Sequence, residues 1–202
     1  MSNNLLIVIS GPSGAGKGTV IEALLKEIPE LTFSVSATTR PPRPSEKEGK
    51  DYFFISKDQF EDWIEKEKFL EYALVHGHYY GTPRDYIEKK LAEKKDIILD
   101  IDVQGGSRIK EKFPDAVFIF LVSSTFHELK TRLTNRHTEN EGTIQGRLED
   151  AKEELRQMEK YDYIVVNEMI EEAVKDTLAV IRAEKCKTTR RLKEVQYALS
   201  TS

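Results

Sequence analysis

The stretch Gly11-Pro12-Ser13-Gly14-Ala15-Gly16-Lys17-Gly18-Thr19 joins residue types and spacing suited to holding a chain of phosphates. Glycines at 11, 14 and 16 remove Cβ atoms, so backbone N–H groups can converge on anionic oxygens. The apolar run Leu5-Leu6-Ile7-Val8-Ile9 precedes the loop, and the helical pattern Val20-Ile21-Glu22-Ala23-Leu24-Leu25 follows it. Strand, glycine loop, lysine and helix in that order form a P-loop. A helix opening at Lys17 adds the positive end of its dipole. Lys17 adds a mobile point charge for the terminal phosphates. The residue after the lysine is usually Ser or Thr, whose hydroxyl binds Mg²⁺. Here it is Gly18, with Thr19 one place later, so the protein ligand of the metal stays open.

Other charged residues are spaced for binding. In Thr38-Thr39-Arg40-Pro41-Pro42-Arg43-Pro44 three prolines fix an extended backbone that can hold Arg40 and Arg43 without further packing. On local sequence the same stretch also fits a surface loop with two solvated arginines. Asp100 and Asp102 end the apolar run 97–102, the edge where open α/β sheets place ligands. The histidines at 76, 78, 127 and 137 have no metal-ligand spacing, which argues against zinc.

The elements that must position these residues follow from the apolar pattern. A first helix is expected over 17–28, stopped by Pro29, and a short strand over 33–37. Residues 50–55 are strand-like, Ser56 caps a helix with Gln59 three places on, and 69–75 is a further strand. Thr82-Pro83-Arg84-Asp85 has the form of a helix start, with Thr82 as cap and an end near Lys95. Gln104-Gly105-Gly106 is expected to turn into a helix reaching Lys112. Residues 116–122 form an unbroken apolar strand. Helices at 126–136 and 143–160 flank a polar loop, a last strand covers 163–166, and Ile170, Val174, Leu178 and Ile181 seat a final helix. Alternating strands and helices argue an α/β fold, a doubly wound and mainly parallel sheet. Residues 187–202 read as a basic tail or helix extension.

With 202 residues the chain fits one domain carrying a small insertion. A net charge of −4 gives no general attraction to nucleic acid or anionic membrane, and no apolar run approaches a membrane span. The start Met1-Ser2-Asn3-Asn4 lacks the basic region of a signal peptide. The single Cys186 excludes an intrachain disulfide and suits a reducing cytoplasm.

Together the motifs closely resemble guanylate kinases, from about residue 4 to 186. The resemblance rests on the glycine loop, Ser34-Val35-Ser36-Ala37-Thr38-Thr39-Arg40-Pro41-Pro42-Arg43, Gly49-Lys50-Asp51-Tyr52, Phe69-Leu70-Glu71, Tyr79-Tyr80-Gly81-Thr82, Ile98-Leu99-Asp100-Ile101-Asp102-Val103-Gln104-Gly105, and Arg132, Arg136 and Arg147. Gly-Lys-Gly-Thr also occurs in nucleoside monophosphate kinases resembling adenylate kinase. The resemblance implies a core at 4–35, 83–125 and 160–186 that binds ATP, an insertion at 36–82 that binds GMP, and a lid at 126–159. It implies that Arg40, Arg43, Tyr52 and Tyr80 hold the GMP phosphate. Glu71 and Asp102 accept from guanine N1–H and the exocyclic amine, and the Ser36 and Thr82 hydroxyls suit the guanine oxygen side. The family often has Ser at position 82. Lys17, Arg132, Arg136 and Arg147 would stabilise the moving phosphoryl group, with Mg²⁺ held mainly by phosphates and water. Asp100 either orders that water or is a structural carboxylate bonded to the loop backbone. The implied reaction is ATP + GMP giving ADP + GDP, with dGMP left open as an acceptor. Two rivals remain: a peptide-binding scaffold module of the same fold, and a nucleotide kinase with another acceptor such as AMP. Intact Lys17 and lid arginines oppose the first, and Glu71 and Asp102 the second.

Overall fold

The structure, a computed structural model, describes residues 4–44, 46–75, 77–134 and 141–200. The strands are β1 (Leu6–Ser10), β2 (Thr32–Phe33), β3 (Ser36–Thr38), β4 (Tyr52–Phe54), β5 (Phe69–Val75), β6 (His78–Pro83), β7 (Ile97–Asp100), β8 (Val117–Val122) and β9 (Tyr163–Val166). The helices are α1 (Lys17–Glu27), α2 (Lys57–Glu65), α3 (Arg84–Ala92), α4 (Val103–Lys112), α5 (Phe126–Thr134), α6 (Glu141–Leu155), α7 (Ile170–Cys186) and α8 (Thr188–Ser200).

β1, β7 and β8 are apolar on both faces because helices cover both faces of their sheet. That sheet is parallel, in the order β2-β7-β1-β8-β9. Ile7, Ile9, Ile98, Ile119 and Leu121 pack against Val20 and Leu24 of α1 and Val174 and Ile181 of α7. Leu6, Val8, Leu99 and Phe118 pack on the other side against Ile87 of α3 and Ile109 of α4, with Leu70 of β5. The two helix layers leave the C-terminal ends of the strands as one edge. Ser10, Asp100 and Val122 end there.

A second sheet, in the order β4-β3-β6-β5, stands beside the first. Its core is aromatic: Phe60 of α2 is fully buried, stacked on Phe69 at 4.3 Å and Tyr79 at 5.1 Å. Ser56 caps α2, its Oγ accepting from Gln59 N at 3.1 Å.

Four local expectations are corrected. The strand expected over 33–37 is two pieces, one in each sheet, with Ser34 and Val35 buried at the crossing. Thr82 does not cap α3; it lies in β6, paired with Glu71 of β5, and Pro83 takes the cap position. Gly105 and Gly106 lie within α4, not in a turn before it. Residues 188–200 form a separate helix, set off from α7 by extended Lys187 and tied down by Arg190, which donates to Asp115 O at 2.6 Å.

Candidate active site

The loop after β1 enters α1 through Gly16, the cap residue, whose φ of 90° lies in the left-handed region. A Cβ there would stand 2.4 Å from Asn167 Nδ2, so only glycine fits. No side chain caps α1 and no acid lies in its first turn. Its leading N–H groups and dipole are therefore turned to an external anion. Lys17 Nζ spans the loop and donates to Gly11 O at 2.7 Å. Asn167, 1% exposed at the end of β9, donates through Nδ2 to Ala15 O at 2.7 Å and through its backbone N to Val122 O at 2.7 Å. Sequence reasoning missed Asn167, because only the adjacency of β8 and β9 brings it under the loop.

Two expected lid arginines meet this loop. Arg132 of α5 donates to Asn167 O at 3.1 Å and pairs with Glu128 one turn earlier. Arg147 of α6 donates to Ser13 Oγ. Arg136 lies outside the described residues. Pro12, Gly14, Gly18 and Thr19 complete the loop, and a Cβ at Gly18 would meet nothing within 4 Å. Packing therefore does not exclude a larger residue after Lys17.

Across the strand ends, Thr38 and Thr39 pin the arginine loop to β6. Thr38 Oγ1 donates to Tyr79 O at 2.9 Å, and Thr39 Oγ1 accepts from Tyr79 N at 2.9 Å. Arg40 follows, donating through Nε to Tyr80 OH at 3.2 Å with its guanidinium 5.5 Å from the Tyr52 ring centre. The Tyr52 and Tyr80 rings meet edge-on at 5.9 Å. Glu46, which sequence reasoning did not single out, binds the Arg40 fork at 2.7 and 2.9 Å and accepts from Arg43 N at 2.8 Å. That bond lowers the Glu46 carboxyl and raises the Arg40 guanidinium. The Arg43 side chain is exposed, and Ser36 heads β3 opposite Tyr52. Burial, with Asp100 nearby, pushes the Tyr52 phenol up to about 12, so it remains a donor through the physiological range. Burial also raises the Asp100 carboxyl, and Lys17 pulls it back. The charge of Lys17 is thus felt by Asp100, and that of Asp100 by Tyr52, across the C-terminal end of β7.

Glu71 and Asp102 meet at the start of α4. Asp102 caps that helix, its Oδ1 accepting from Gly105 N at 2.7 Å. Glu71, 7% exposed, accepts from fully buried Thr82 through Oγ1 at 2.6 Å. The Thr82 proton is therefore committed to Glu71 and not to a guanine oxygen. A Cβ at Gly105 would lie 2.7 Å from Glu71 Oε2, so this close approach requires glycine.

Burial raises the Glu71 carboxyl from 4.5 to about 7, opposed by the Thr82 hydrogen bond. The sign for stability follows. Between pH 4.5 and 7 the unfolded chain has released this proton and the folded chain retains it, so stability falls as pH rises through that window. At 1.36 kcal/mol per unit the full effect is on the order of 3 kcal/mol. Glu71→Gln should therefore gain stability relative to the parent from pH 4.5 to 7 and gain no more above it. Urea denaturation of both proteins at a series of pH values checks this; a pH-independent difference would refute it.

The guanylate kinase family model matches residues 3–184 of the chain. The guanylate kinase of Caldanaerobacter subterraneus subsp. tengcongensis is 50% identical over 186 residues, covering 92% of this chain and 90% of the relative. That of Thermotoga maritima is 47% identical over 191 residues, covering 95% and 92%. The crystal structure of guanylate kinase from Anaplasma phagocytophilum aligns with a TM-score of 0.81 at 33% identity, covering 98% of this chain and 96% of that one.

Proposed function

The chain belongs to the guanylate kinase family and is an ATP:GMP phosphotransferase, and we propose that the reaction runs between the Lys17 loop and the Glu71–Asp102 pair. The observation that carries this assignment is the shared edge of the parallel sheet: uncapped α1 and Lys17 follow β1, while the α4 cap Asp102, beside Glu71, follows β7, the strand paired with β1. One sheet edge thus serves both a triphosphate site and a monophosphate site.

ATP binds along residues 11–19. GMP binds in the insertion 36–82, with its phosphate between Arg40, Tyr52 and Tyr80 and with Arg43 swinging in from the surface. Two fork-shaped cations and two phenols suit a dianion. Its base lies against Glu71 and Asp102, with Ser36 on the guanine oxygen side and Thr82 acting through Glu71. The core is 4–35, 83–125 and 160–186, the lid is 126–159, and residues 187–202 follow the catalytic unit.

The attacking group is an oxygen of the GMP phosphate, whose second pKa is near 6, so it is largely ionised at neutral pH and needs no base. Catalysis is then alignment and charge stabilisation. Lys17 and the loop amides hold the donor phosphates, and Arg132, Arg136 and Arg147 approach from the lid to neutralise the group in flight and exclude water.

Mg²⁺ fits this site. Among the described residues no three His, Cys, Asp or Glu side chains gather into a metal cage. Mg²⁺ commonly keeps several waters and uses substrate phosphates with one or two carboxylates. Asp100 would order that water, and the ion would neutralise phosphate charge. Among the described residues no helix is long and apolar enough to cross a membrane. The substrates and the lone thiol suit a cytoplasmic enzyme.

A coupled assay of ADP release with AMP, CMP, GMP and UMP tests the assignment. Release with GMP far above the other three is expected. Equal use of AMP would overturn the acceptor, and no release with any would overturn the enzyme.

A further inference from the structure

Arg108 and Lys112 have no part in the scheme above. Both lie on α4, the helix that Asp102 caps, on the same face as Gly105. That face packs on β5 around Glu71. The strand is irregular there. Phe69 pairs with Pro83 and Glu71 with Thr82, so Leu70 is an extra residue with no partner on β6, a β-bulge. In a regular strand Phe69 and Glu71 would point to the same side. The bulge parts them. Phe69 stacks on Phe60 in the core of the second sheet, whereas Glu71 faces the first turn of α4, its Oε2 standing 2.7 Å from where a Cβ on Gly105 would lie. Leu70 packs in one cluster with Ile109 of α4. β5 is an edge strand, with ladder bonds on one side only, so a bulge in it needs support from outside the sheet. Lys112 supplies it, donating through Nζ to Leu70 O. On the other side of Glu71, the Arg108 guanidinium stands 5.8 Å from the Tyr72 ring centre. α4 therefore holds β5 at the residues before and after Glu71.

Asp102 moves with α4, and Glu71 moves with the bulge. The bond from Lys112 ties one to the other. We propose that Lys112 is a positioning residue for base choice, fixing the Leu70 bulge to α4 so that the Glu71 and Asp102 carboxylates stand at the spacing of the two adjacent guanine donors. The inference rests on the assignment of those two acids to the base.

Steady-state kinetics of Lys112→Met, Lys112→Arg, Glu71→Gln and the double variant Glu71→Gln/Lys112→Met test it, each first shown to be folded by its thermal melt. Lys112→Met should raise KM for GMP about 5-fold, the scale of one hydrogen bond, with kcat and KM for ATP near their parent values. Lys112→Arg should recover most of that loss, because its guanidinium still donates to the Leu70 carbonyl. In the Glu71→Gln background the loss of Lys112 should cost less than about 2-fold, because Lys112 acts through Glu71. If Lys112→Met folds poorly, Arg108→Leu carries the test at a pH near 8.5, above the Glu71 range, where that carboxylate is ionised in parent and variant. It should raise KM for GMP about 3-fold, the scale of one exposed cation–ring contact, and leave KM for ATP alone. A lowered melt with KM for GMP unchanged, equal rises for ATP and GMP, an Arg variant no better than Met, or multiplying effects in the double variant would each overturn the proposal. An impaired Glu71→Gln beside a normal Lys112→Met would remove this inference alone. A normal Glu71→Gln would remove the base assignment and this inference with it.

Discussion

Lys17→Met should give a folded protein that binds GMP as before and turns over about 100-fold or more slowly, the scale for removing one positioned stabilising group from a water-excluded site. The substitution keeps the stem and removes the charge. Among the described residues Lys17 makes one hydrogen bond, to Gly11 O at 2.7 Å, and the loop retains its other ties through Asn167 and the Ala15 N–H to Pro12 O. Losing one such bond at a half-exposed position costs on the order of 1 kcal/mol, well within the stability of a domain this size. The loss in transfer is larger because the ammonium serves a charge that develops on the bridging and terminal oxygens as the bond breaks. The residues proposed to hold GMP, on the second sheet, its arginine loop and the α4 cap, do not include Lys17, so KM for GMP should stay near its parent value. Removing the cation also removes the partner that opposes the rise of the Asp100 carboxyl. Circular dichroism melts with coupled-assay kinetics check the prediction, and a folded variant with near-normal turnover would refute it.

Much of this machinery is legible in the chain because local rules write it. The Gly11–Thr19 loop needs Cβ-free positions, and the runs at 97–99 and 117–122 need burial on both faces, so residue type and position are linked over short spans. What escaped the sequence depends on contacts between distant segments. Asn167 is one polar residue after a strand until β9 is known to lie beside β8. Glu46 follows a run of prolines and shows no pattern, yet it grips both Arg40 and the Arg43 backbone. The misread glycines have the same origin. Gly-Gly after Gln104 resembles a turn, whereas position 105 is glycine because Glu71, from another sheet, presses on the first turn of α4. Thr82 beside Pro83 resembles a helix cap, but its hydroxyl has a buried carboxylate at 2.6 Å to satisfy, and an unpaired carboxylate there would cost more than an uncapped surface helix.

Base choice should rest on two carboxylates. Guanine carries an N1–H and an exocyclic amine side by side; adenine has no N1–H, and its amine lies on the opposite side. In the fold one oxygen of each acid is already engaged, Glu71 Oε1 by Thr82 and Asp102 Oδ1 by the Gly105 N–H. Glu71 Oε2 and Asp102 Oδ2 are the acceptors available to the two guanine donors. Both acids are therefore oriented before the base arrives, which limits the ordering cost of binding. With AMP both would lose water and gain no donor, at about 1–3 kcal/mol each or more. The parent enzyme should consequently prefer GMP to AMP by at least about 1,000-fold in kcat/KM, because a site built on hydrogen bonds rejects a ligand that leaves them unmade. Glu71→Gln and Asp102→Asn keep the size and one oxygen but remove the charge and can turn an N–H toward guanine. Each should lower kcat/KM for GMP by about 10- to 100-fold, the 1.5–3 kcal/mol of a hydrogen bond to a charged group. KM for ATP should barely change, since neither acid touches the glycine loop. Glu71 offers a second readout. With its carboxyl held at about 7, the parent KM for GMP should rise as pH falls below 7, and the part of that rise absent from Glu71→Gln belongs to Glu71 and not to the GMP phosphate. If the acids only support the fold, the variants would lose stability and treat ATP and GMP alike. Kinetics for both substrates on variants with verified melts decide the matter: a loss confined to GMP upholds the pocket, and an equal loss for both substrates, or none, refutes it.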